Sequence, residues 1–186
     1  MTVPRELALE FLRSRSADTM THLNGPLLDH LIATEELLRA WGASEELCLA
    51  GLCHATYGTD GFAPFLLPWD QRHVLAEVAG RDVEETVYLY ASCDRSRLYP
   101  QLSGEGPVRF RDRFRDTTFE PSATQLRDFV DLTLANELEI ALGSDARRKA
   151  PPSARPAWIG PLVEQMEKRA STGVVRGARH LLGPVR

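Results

Sequence analysis

The feature that most constrains the fold is an apolar pattern with helical spacing that recurs along most of the chain. Between Leu27 and Trp41, apolar side chains return every three to four residues, as on one face of an α-helix. Asn24-Gly-Pro26 precedes this run as a helix start, and Gly42 follows it as a helix stop. Similar signals predict helices over 6–14, 27–41, 44–57, 70–79, 83–98, 122–142 and 159–169. The sequence therefore predicts an all-α protein.

Two segments differ from this helical pattern. Residues 108–120 alternate at period two around a turn-like Arg115-Asp116, which favours one short β-hairpin near 108–120. The stretch 150–156 is rich in proline and is interpreted as a linker. It would separate a helical domain, 1–150, from a C-terminal helical extension, 151–186, whose tail we expect to be mobile.

Composition limits the classes of partner. The net charge of −4 gives no electrostatic reason to expect nucleic acid, and no apolar run approaches the roughly 20 residues that span a bilayer. The first ten residues lack the order of a signal peptide. The three cysteines lie inside apolar helical patterns and are predicted to be buried, reduced thiols. We therefore expect a cytoplasmic protein with a small-molecule substrate, with a homodimer left open.

Three polar residues lie on the apolar faces of successive predicted helices: His30, His54 and Asp94. A buried carboxylate is costly unless it is paired or binds a cation, and two imidazoles with a carboxylate are a common donor set for a divalent transition metal. The alternative is structural. In that interpretation each histidine is a hydrogen-bonded core residue, and Asp94 is paired with an arginine.

These segments resemble the HD-domain superfamily of metal-dependent phosphohydrolases. Leu28-Asp-His30 is similar to its first ligand element, the run ending in His54 to its second, and Ala91-Ser-Cys-Asp94 to its third. The order is especially similar to that of the stringent-response alarmone hydrolases. The stretch 22–59 also resembles an uncharacterised HD-like family with an "AGL.H..YGT" signature. The resemblance implies an HD-domain-like helical bundle with a metal site.

The sequence departs from the superfamily after the second histidine, where an expected metal-ligating Asp is replaced by Ala55. In binuclear members that Asp bridges two metals, so its loss favours a single ion. We expect one divalent transition metal, Mn, Fe or Zn, with a fourth donor from His22 or Asp60. His22 could equally be a surface residue or a substrate contact.

Residues near this predicted site could serve chemistry. Asp60 is the predicted general base, and Tyr57 is a second catalytic candidate. Thr59, Arg72 and Arg95 are predicted to bind a substrate anion, because guanidinium groups suit carboxylates and phosphates. The two arginines could instead hold acidic side chains in place.

Asn136-Glu137 is a polar pair within an otherwise apolar predicted helix. It could reach the pocket, or Glu137 could be solvated or paired with a cation. The sequence does not separate these interpretations.

Three functions remain open from the sequence. The first is a mononuclear metal-dependent hydrolase acting on a small anionic, phosphorylated metabolite. The second is a mononuclear non-haem iron oxygenase, which uses two His and one carboxylate. The third is an inactive HD-like protein that binds a ligand or a partner, an interpretation favoured by Ala55.

Overall fold

Helices dominate the parts of the chain that the structure describes. The computed structural model describes residues 4–23, 25–143 and 155–183. The helices are α1 (Pro4–Ser14), α2 (Leu27–Ala40), α3 (Glu45–Cys53), α4 (Arg72–Ala79), α5 (Arg81–Ser92), α6 (Arg95–Leu98), α7 (Ala123–Leu142), α8 (Ile159–Met166) and α9 (Thr172–Leu182). Short 3₁₀ turns lie at Trp69–Gln71 and Tyr99–Gln101. The prediction of an all-α protein is confirmed.

Two short antiparallel hairpins complete the described elements. Strands β3 (Phe110–Asp112) and β4 (Thr117–Phe119) pair around the predicted turn, which confirms the hairpin near 108–120. The sequence did not predict β1 (Thr21–His22) and β2 (Gly25–Pro26). This small hairpin leads directly into α2.

The core consists of two apolar clusters joined by shared helices. One cluster lies among α7, the hairpin of β3 and β4, and the C-terminal helices. The other lies among α1, α3, α4 and α5. Helices α2, α3 and α5 contribute side chains to both clusters. They form the centre of the fold, and two of them carry the predicted histidines.

The contact between α2 and α3 depends on a glycine. A Cβ at Gly51 would lie 2.5 Å from the Leu38 side chain, so only glycine allows this approach without movement of that leucine. Ser44 starts α3 by accepting a hydrogen bond from the backbone N–H of Leu47 at 3.2 Å. This close packing places the end of α3 beside the first turn of α2.

The three cysteines are free and buried, as predicted. Burial raises the pKa of Cys48 to about 11 and of Cys53 to about 12, because a thiolate is poorly solvated there. They are inert core thiols. No helix in the described ranges has the length and apolar character needed to cross a membrane.

The prediction of one continuous helix over 83–98 is wrong. Helix α5 ends at Ser92, Cys93 is extended, and α6 begins only at Arg95. Cys93 forms a β-bridge with Asp112 of the hairpin, and the Asp94 N–H donates to the Arg111 carbonyl at 3.1 Å. This contact with a distant strand interrupts a helix that local periodicity alone would have continued.

The C-terminal segment is more ordered than predicted. The helix predicted over 159–169 is present as α8, but the expectation of a mobile tail is wrong for residues 172–182, which form α9. Helix α9 packs on α7, and its Gly173 and Gly177 lie against Trp41. Most of the predicted proline-rich linker, with residues 184–186, lies outside the described residues.

Candidate functional site

A cavity of about 580 Å³ opens where α2, α3 and α7 meet the hairpin of β1 and β2. It is lined by Thr21, His22, Leu23, His30, His54, Ala55, Thr59, Gly61, Phe62, Arg95, Asn136, Glu137 and Ile140. Three of the four predicted metal ligands and two of the three predicted substrate-binding residues are among them. The cavity is therefore the candidate functional site.

His54 is fixed with one ring nitrogen facing His30. It follows the last turn of α3, and its Nδ1–H donates to the Gly51 carbonyl at 2.7 Å. Its Nε2 therefore carries a lone pair, and lies 3.3 Å from Nε2 of His30. Burial lowers the pKa of His54 well below its ordinary value, since a charged ring would be desolvated beside another histidine. His54 is a neutral acceptor at pH 7.

His30 lies between a carboxylate and two acceptors. Its Nδ1 forms a short contact with the Glu139 carboxylate, which places a proton on that nitrogen. Its Nε2 faces Asn136 Oδ1 at 3.0 Å as well as Nε2 of His54. All four side chains are buried. A histidine oriented by a carboxylate is the arrangement that commonly supports a metal ligand.

The donors and acceptors around Nε2 of His30 balance only with a further proton or a cation at that nitrogen. With protons assigned to Nδ1 of both rings, Nε2 of His30, Nε2 of His54 and Oδ1 of Asn136 are all lone-pair atoms. Three buried acceptors at these distances need a proton or a cation between them. A proton or a bound cation at Nε2 of His30 would satisfy all three atoms.

His22 forms the next layer of the site. Its ring stacks on His30 with centroids 4.3 Å apart, and the edge of Phe62 meets it at 5.0 Å. Its Nδ1 is buried and has no hydrogen-bond partner among the described residues. Burial and the neighbouring His30 lower the pKa of His22 to about 4, so the ring is neutral at pH 7.

Arg95 supplies the positive charge of the cavity. Its Nη1 donates to Glu137 at 3.0 Å, and its Nη2 donates to the Tyr90 hydroxyl at 3.0 Å. Asp60 accepts a hydrogen bond from the Arg95 backbone N–H at 2.9 Å. Nε of Arg95 is buried without a partner in the described part of the chain. Two nitrogens of the Arg95 guanidinium thus have partners, and the third, Nε, has none among the described residues.

The structure does not group Asp94 with the two histidines. Asp94 caps α6, where it accepts hydrogen bonds from the Ser96 hydroxyl at 2.6 Å and from the Arg97 N–H at 3.2 Å. These hydrogen bonds lower the pKa of Asp94, and the one from Ser96 has the largest effect. Within the described ranges, no three His, Cys, Asp or Glu side chains are placed to hold one metal ion. The predicted grouping of His30, His54 and Asp94 needs correction, because the helix break at Cys93 redirects Asp94.

Two other predicted site residues lie in a separate cluster. Arg72 binds Glu84 through two hydrogen bonds, of 2.7 and 2.6 Å, and stacks on Tyr88. The Tyr57 hydroxyl donates to the same Glu84 at 2.8 Å. Neither Arg72 nor Tyr57 lines the histidine cavity. The observed contact of Arg72 therefore agrees with the second interpretation from the sequence, in which the arginine holds an acidic side chain in place.

Sequence analysis left Asn136 open as a pocket residue and missed Glu139. They lie three residues apart on the buried side of α7, which a capping box of Ser122 and Gln125 begins. The i, i+3 spacing of two polar groups in an apolar helix is the signal that could have identified them. The alternatives left open for Glu137 are resolved: it lines the cavity and is paired with Arg95.

Comparison with protein-family models gives a match over less than half of the chain. A family model described as a domain of unknown function (DUF6817) matches residues 11–95. This stretch includes His22, His30, His54 and Arg95 but ends before α7. Neither the curated proteins nor the solved structures contain a match to the chain. The resemblance to the HD superfamily stays a prediction.

Proposed function

We propose that the protein is a metal-dependent hydrolase that binds one divalent transition metal ion and acts on a small anionic metabolite in the histidine cavity. The observation that carries the proposal is the convergence of three potential ligand atoms at Nε2 of His30. His54 and Asn136 each direct an acceptor to that nitrogen, and Glu139 orients the ring from the other side. Asn136 thus takes the place that the sequence analysis gave to Asp94.

The two separations measured from Nε2 of His30 suit a shared ion. Histidine and oxygen ligands bind zinc at about 2.0–2.2 Å, so two ligands of one ion lie roughly 3.0–3.5 Å apart at tetrahedral or octahedral angles. The measured separations from Nε2 of His30 are 3.3 Å to Nε2 of His54 and 3.0 Å to Oδ1 of Asn136. All three donors are neutral in this arrangement, which favours a metal that accepts imidazole over a hard cation such as Mg²⁺.

Each residue around the cavity would have a separate role in catalysis. When bound, the ion would polarise the scissile group and lower the pKa of a water molecule. Glu139 and the Gly51 carbonyl hold His30 and His54 with their Nε2 atoms toward each other. Arg95 orients an anionic substrate, and Asp60 positions Arg95 through its backbone. The predicted role of Asp60 as general base stays a prediction.

A second candidate function is ligand binding without chemistry. Ala55 lines the cavity beside His54, at the position where the HD resemblance implies a charged ligand. Asn136 likewise offers a neutral oxygen. A site without a carboxylate ligand binds metal more weakly, so an ordinary cellular concentration could leave it without an ion.

Metal titration tests the proposal. Calorimetry with chelator-treated protein should give one Zn²⁺ or Mn²⁺ per chain for the wild type and none for His54→Ala. His73→Ala is the matched control, because His73 is exposed on α4 and lies outside the cavity. Ala55→Asp should bind the ion more tightly, since it adds a carboxylate next to His54. Tighter binding of Fe²⁺ than of Zn²⁺ would favour the oxygenase alternative.

The outcomes separate the candidates. A wild type that binds no ion, together with an Ala55→Asp variant that is destabilised and also binds none, would overturn the metal proposal. The added aspartate would then be a buried charge without a partner. If metal binds as expected, a metabolite screen with the loaded protein should show hydrolysis that His54→Ala loses and His73→Ala keeps.

A further inference from the structure

Two donors or acceptors without partners belong to the walls of one cavity. Of the five buried side-chain nitrogens and oxygens that lack a partner in the described residues, two are Nδ1 of His22 and Nε of Arg95. Both residues line the histidine cavity, and the His22 side chain is about nine-tenths buried. Unsatisfied buried polar atoms are costly, so their concentration at one cavity points to a ligand that completes them.

The Arg95 nitrogen defines the chemistry of that ligand. Its N–H can only donate, so the missing partner is an acceptor. A guanidinium donor binds most strongly to an oxyanion. His22 can meet the same group through Nδ1–H, or accept from a protonated part of it through its lone pair. Arg95 and His22 therefore offer complementary polar groups to an oxygen-bearing headgroup in the cavity that both residues line.

The charge of the cavity limits the charge of the headgroup. Arg95 is the cation among the lining residues, and Glu137 is paired with it at 3.0 Å, so their formal charges cancel. The Glu139 carboxylate lies just behind His30. A phosphate dianion would approach two carboxylates with little compensating positive charge. A singly charged carboxylate meets a smaller penalty.

Apolar side chains form much of the remaining wall. Leu23 is 75% exposed at the cavity although it is a large hydrophobic residue, and Phe62 and Ile140 also line it. An apolar side chain kept in solvent at a cavity is typical of a surface that a ligand covers.

We infer that the cavity binds a small carboxylate with an apolar chain, its headgroup held by Arg95 and His22. This inference rests on the anionic ligand of the proposed function but not on its metal. It replaces the phosphorylated metabolite expected from the sequence with a ligand that carries a single negative charge.

Titration of the chelator-treated protein with simple anions tests the inference. Acetate, butanoate, hexanoate and inorganic phosphate are compared at pH 8 and constant ionic strength by NMR. Affinity should rise from acetate to hexanoate, by up to about fourfold for each methylene that is buried. Phosphate, a dianion at this pH, should bind at least tenfold more weakly than hexanoate.

Variants identify the groups that bind the headgroup. Arg95→Gln should weaken hexanoate binding at least tenfold, whereas Arg97→Gln on the same short helix should not change it, because Arg97 is exposed. His22→Phe keeps an aromatic ring over His30 and removes both nitrogens, and should weaken binding several-fold. Glu137→Gln should raise phosphate affinity relative to hexanoate, because it removes the competing carboxylate.

Distinct results would overturn the inference. Phosphate binding as tight as hexanoate binding would remove the charge argument, and unchanged affinity in both Arg95→Gln and His22→Phe would remove the headgroup site. If the protein binds metal but no carboxylate, the inference fails while the metal proposal stands. If it binds carboxylates but no metal, the inference stands and the protein is a ligand-binding one.

Discussion

Two arginine–glutamate pairs in this protein differ in how completely their surroundings satisfy them. At Arg72, the guanidinium makes two hydrogen bonds to Glu84 and stacks on Tyr88 with its carbon 3.9 Å from the ring centroid. Tyr57 adds a third hydrogen bond to the same carboxylate. None of these residues has a buried polar atom without a partner within the described ranges.

The pair of Arg95 and Glu137 has fewer hydrogen-bond partners than the pair of Arg72 and Glu84. Its single hydrogen bond to Glu137 uses one nitrogen, and Nε is left without a partner in the part of the chain described. The neighbouring His22 adds a second unsatisfied atom, its Nδ1. Among the residues that the structure describes, the fold satisfies every buried polar atom of the Arg72–Glu84 pair but not of the Arg95–Glu137 pair. This difference favours a structural role for the Arg72–Glu84 pair and a binding role for the Arg95–Glu137 pair.

The largest effect should come from breaking the complete pair. Glu84→Gln removes the charge that holds Arg72, whose side chain is only 25% exposed, and should cost about 2–3 kcal/mol of unfolding free energy. Glu137→Gln, the matched change at the incomplete pair, should cost about 1–2 kcal/mol, because Glu137 accepts one hydrogen bond from Arg95 whereas Glu84 accepts two from Arg72. Urea denaturation of both variants measures the difference. Equal losses would mean that the two pairs are alike and would remove the contrast.

An acid-dependent loss of stability should follow from the histidine cavity. Because burial keeps the pKa of His22 near 4 and that of His54 far below its ordinary value, the folded state takes up protons later than the unfolded state. Their contribution to stability is therefore present above about pH 6.5 and is lost as the pH falls toward 4. From pH 7.5 to 5, His22 alone should cost about 1–2 kcal/mol. Melting curves of the wild type and His22→Phe, compared at both pH values, isolate this contribution.

Asp131 on α7 changes the stability with pH in the opposite direction to His22. The comparison with His22→Phe is needed to separate the two contributions. Burial raises its pKa to about 6, although the backbone N–H of Ser171 donates to it at 2.8 Å. Because the folded pKa is raised, this carboxyl stabilises the protein at low pH, and its contribution is lost as the pH rises through 6. The effect is common to the wild type and His22→Phe, so it cancels in their difference. A variant with an unchanged pH dependence would show that His22 does not stay neutral in the fold.

Local sequence predicted the helices well because apolar periodicity and capping are properties of single segments. It also brought His22, His30, His54 and Arg95 to attention, and these residues meet at one cavity. It failed where distant segments decide the structure. The β-bridge between Cys93 and a later strand ends α5 early, and no local pattern around Cys93 records that contact.

The partners of His30 show the same limit. Asn136 and Glu139 are more than 100 residues away from it along the chain. Their polarity within an apolar helix is visible in the sequence. Residue identity alone, however, does not show whether a polar side chain is exposed or buried. Only the packing of α7 on α2 shows that these two residues face inward.

The smallest predicted effect concerns Tyr57, which the sequence presented as a catalytic candidate. Tyr57→Phe removes one hydrogen bond to Glu84 but leaves both bonds from Arg72, so the carboxylate stays paired. The loss of unfolding free energy should be about 1 kcal/mol, as for one buried hydrogen bond. Because the Tyr57 hydroxyl is bound in the Arg72 cluster and does not line the cavity, metal and hexanoate affinities should equal those of the wild type. Calorimetric titration and urea denaturation of the same preparation measure both quantities. A variant of normal stability with weakened ligand binding would place Tyr57 in the functional site, and the separation between a closed structural cluster and an open binding cavity would then fail.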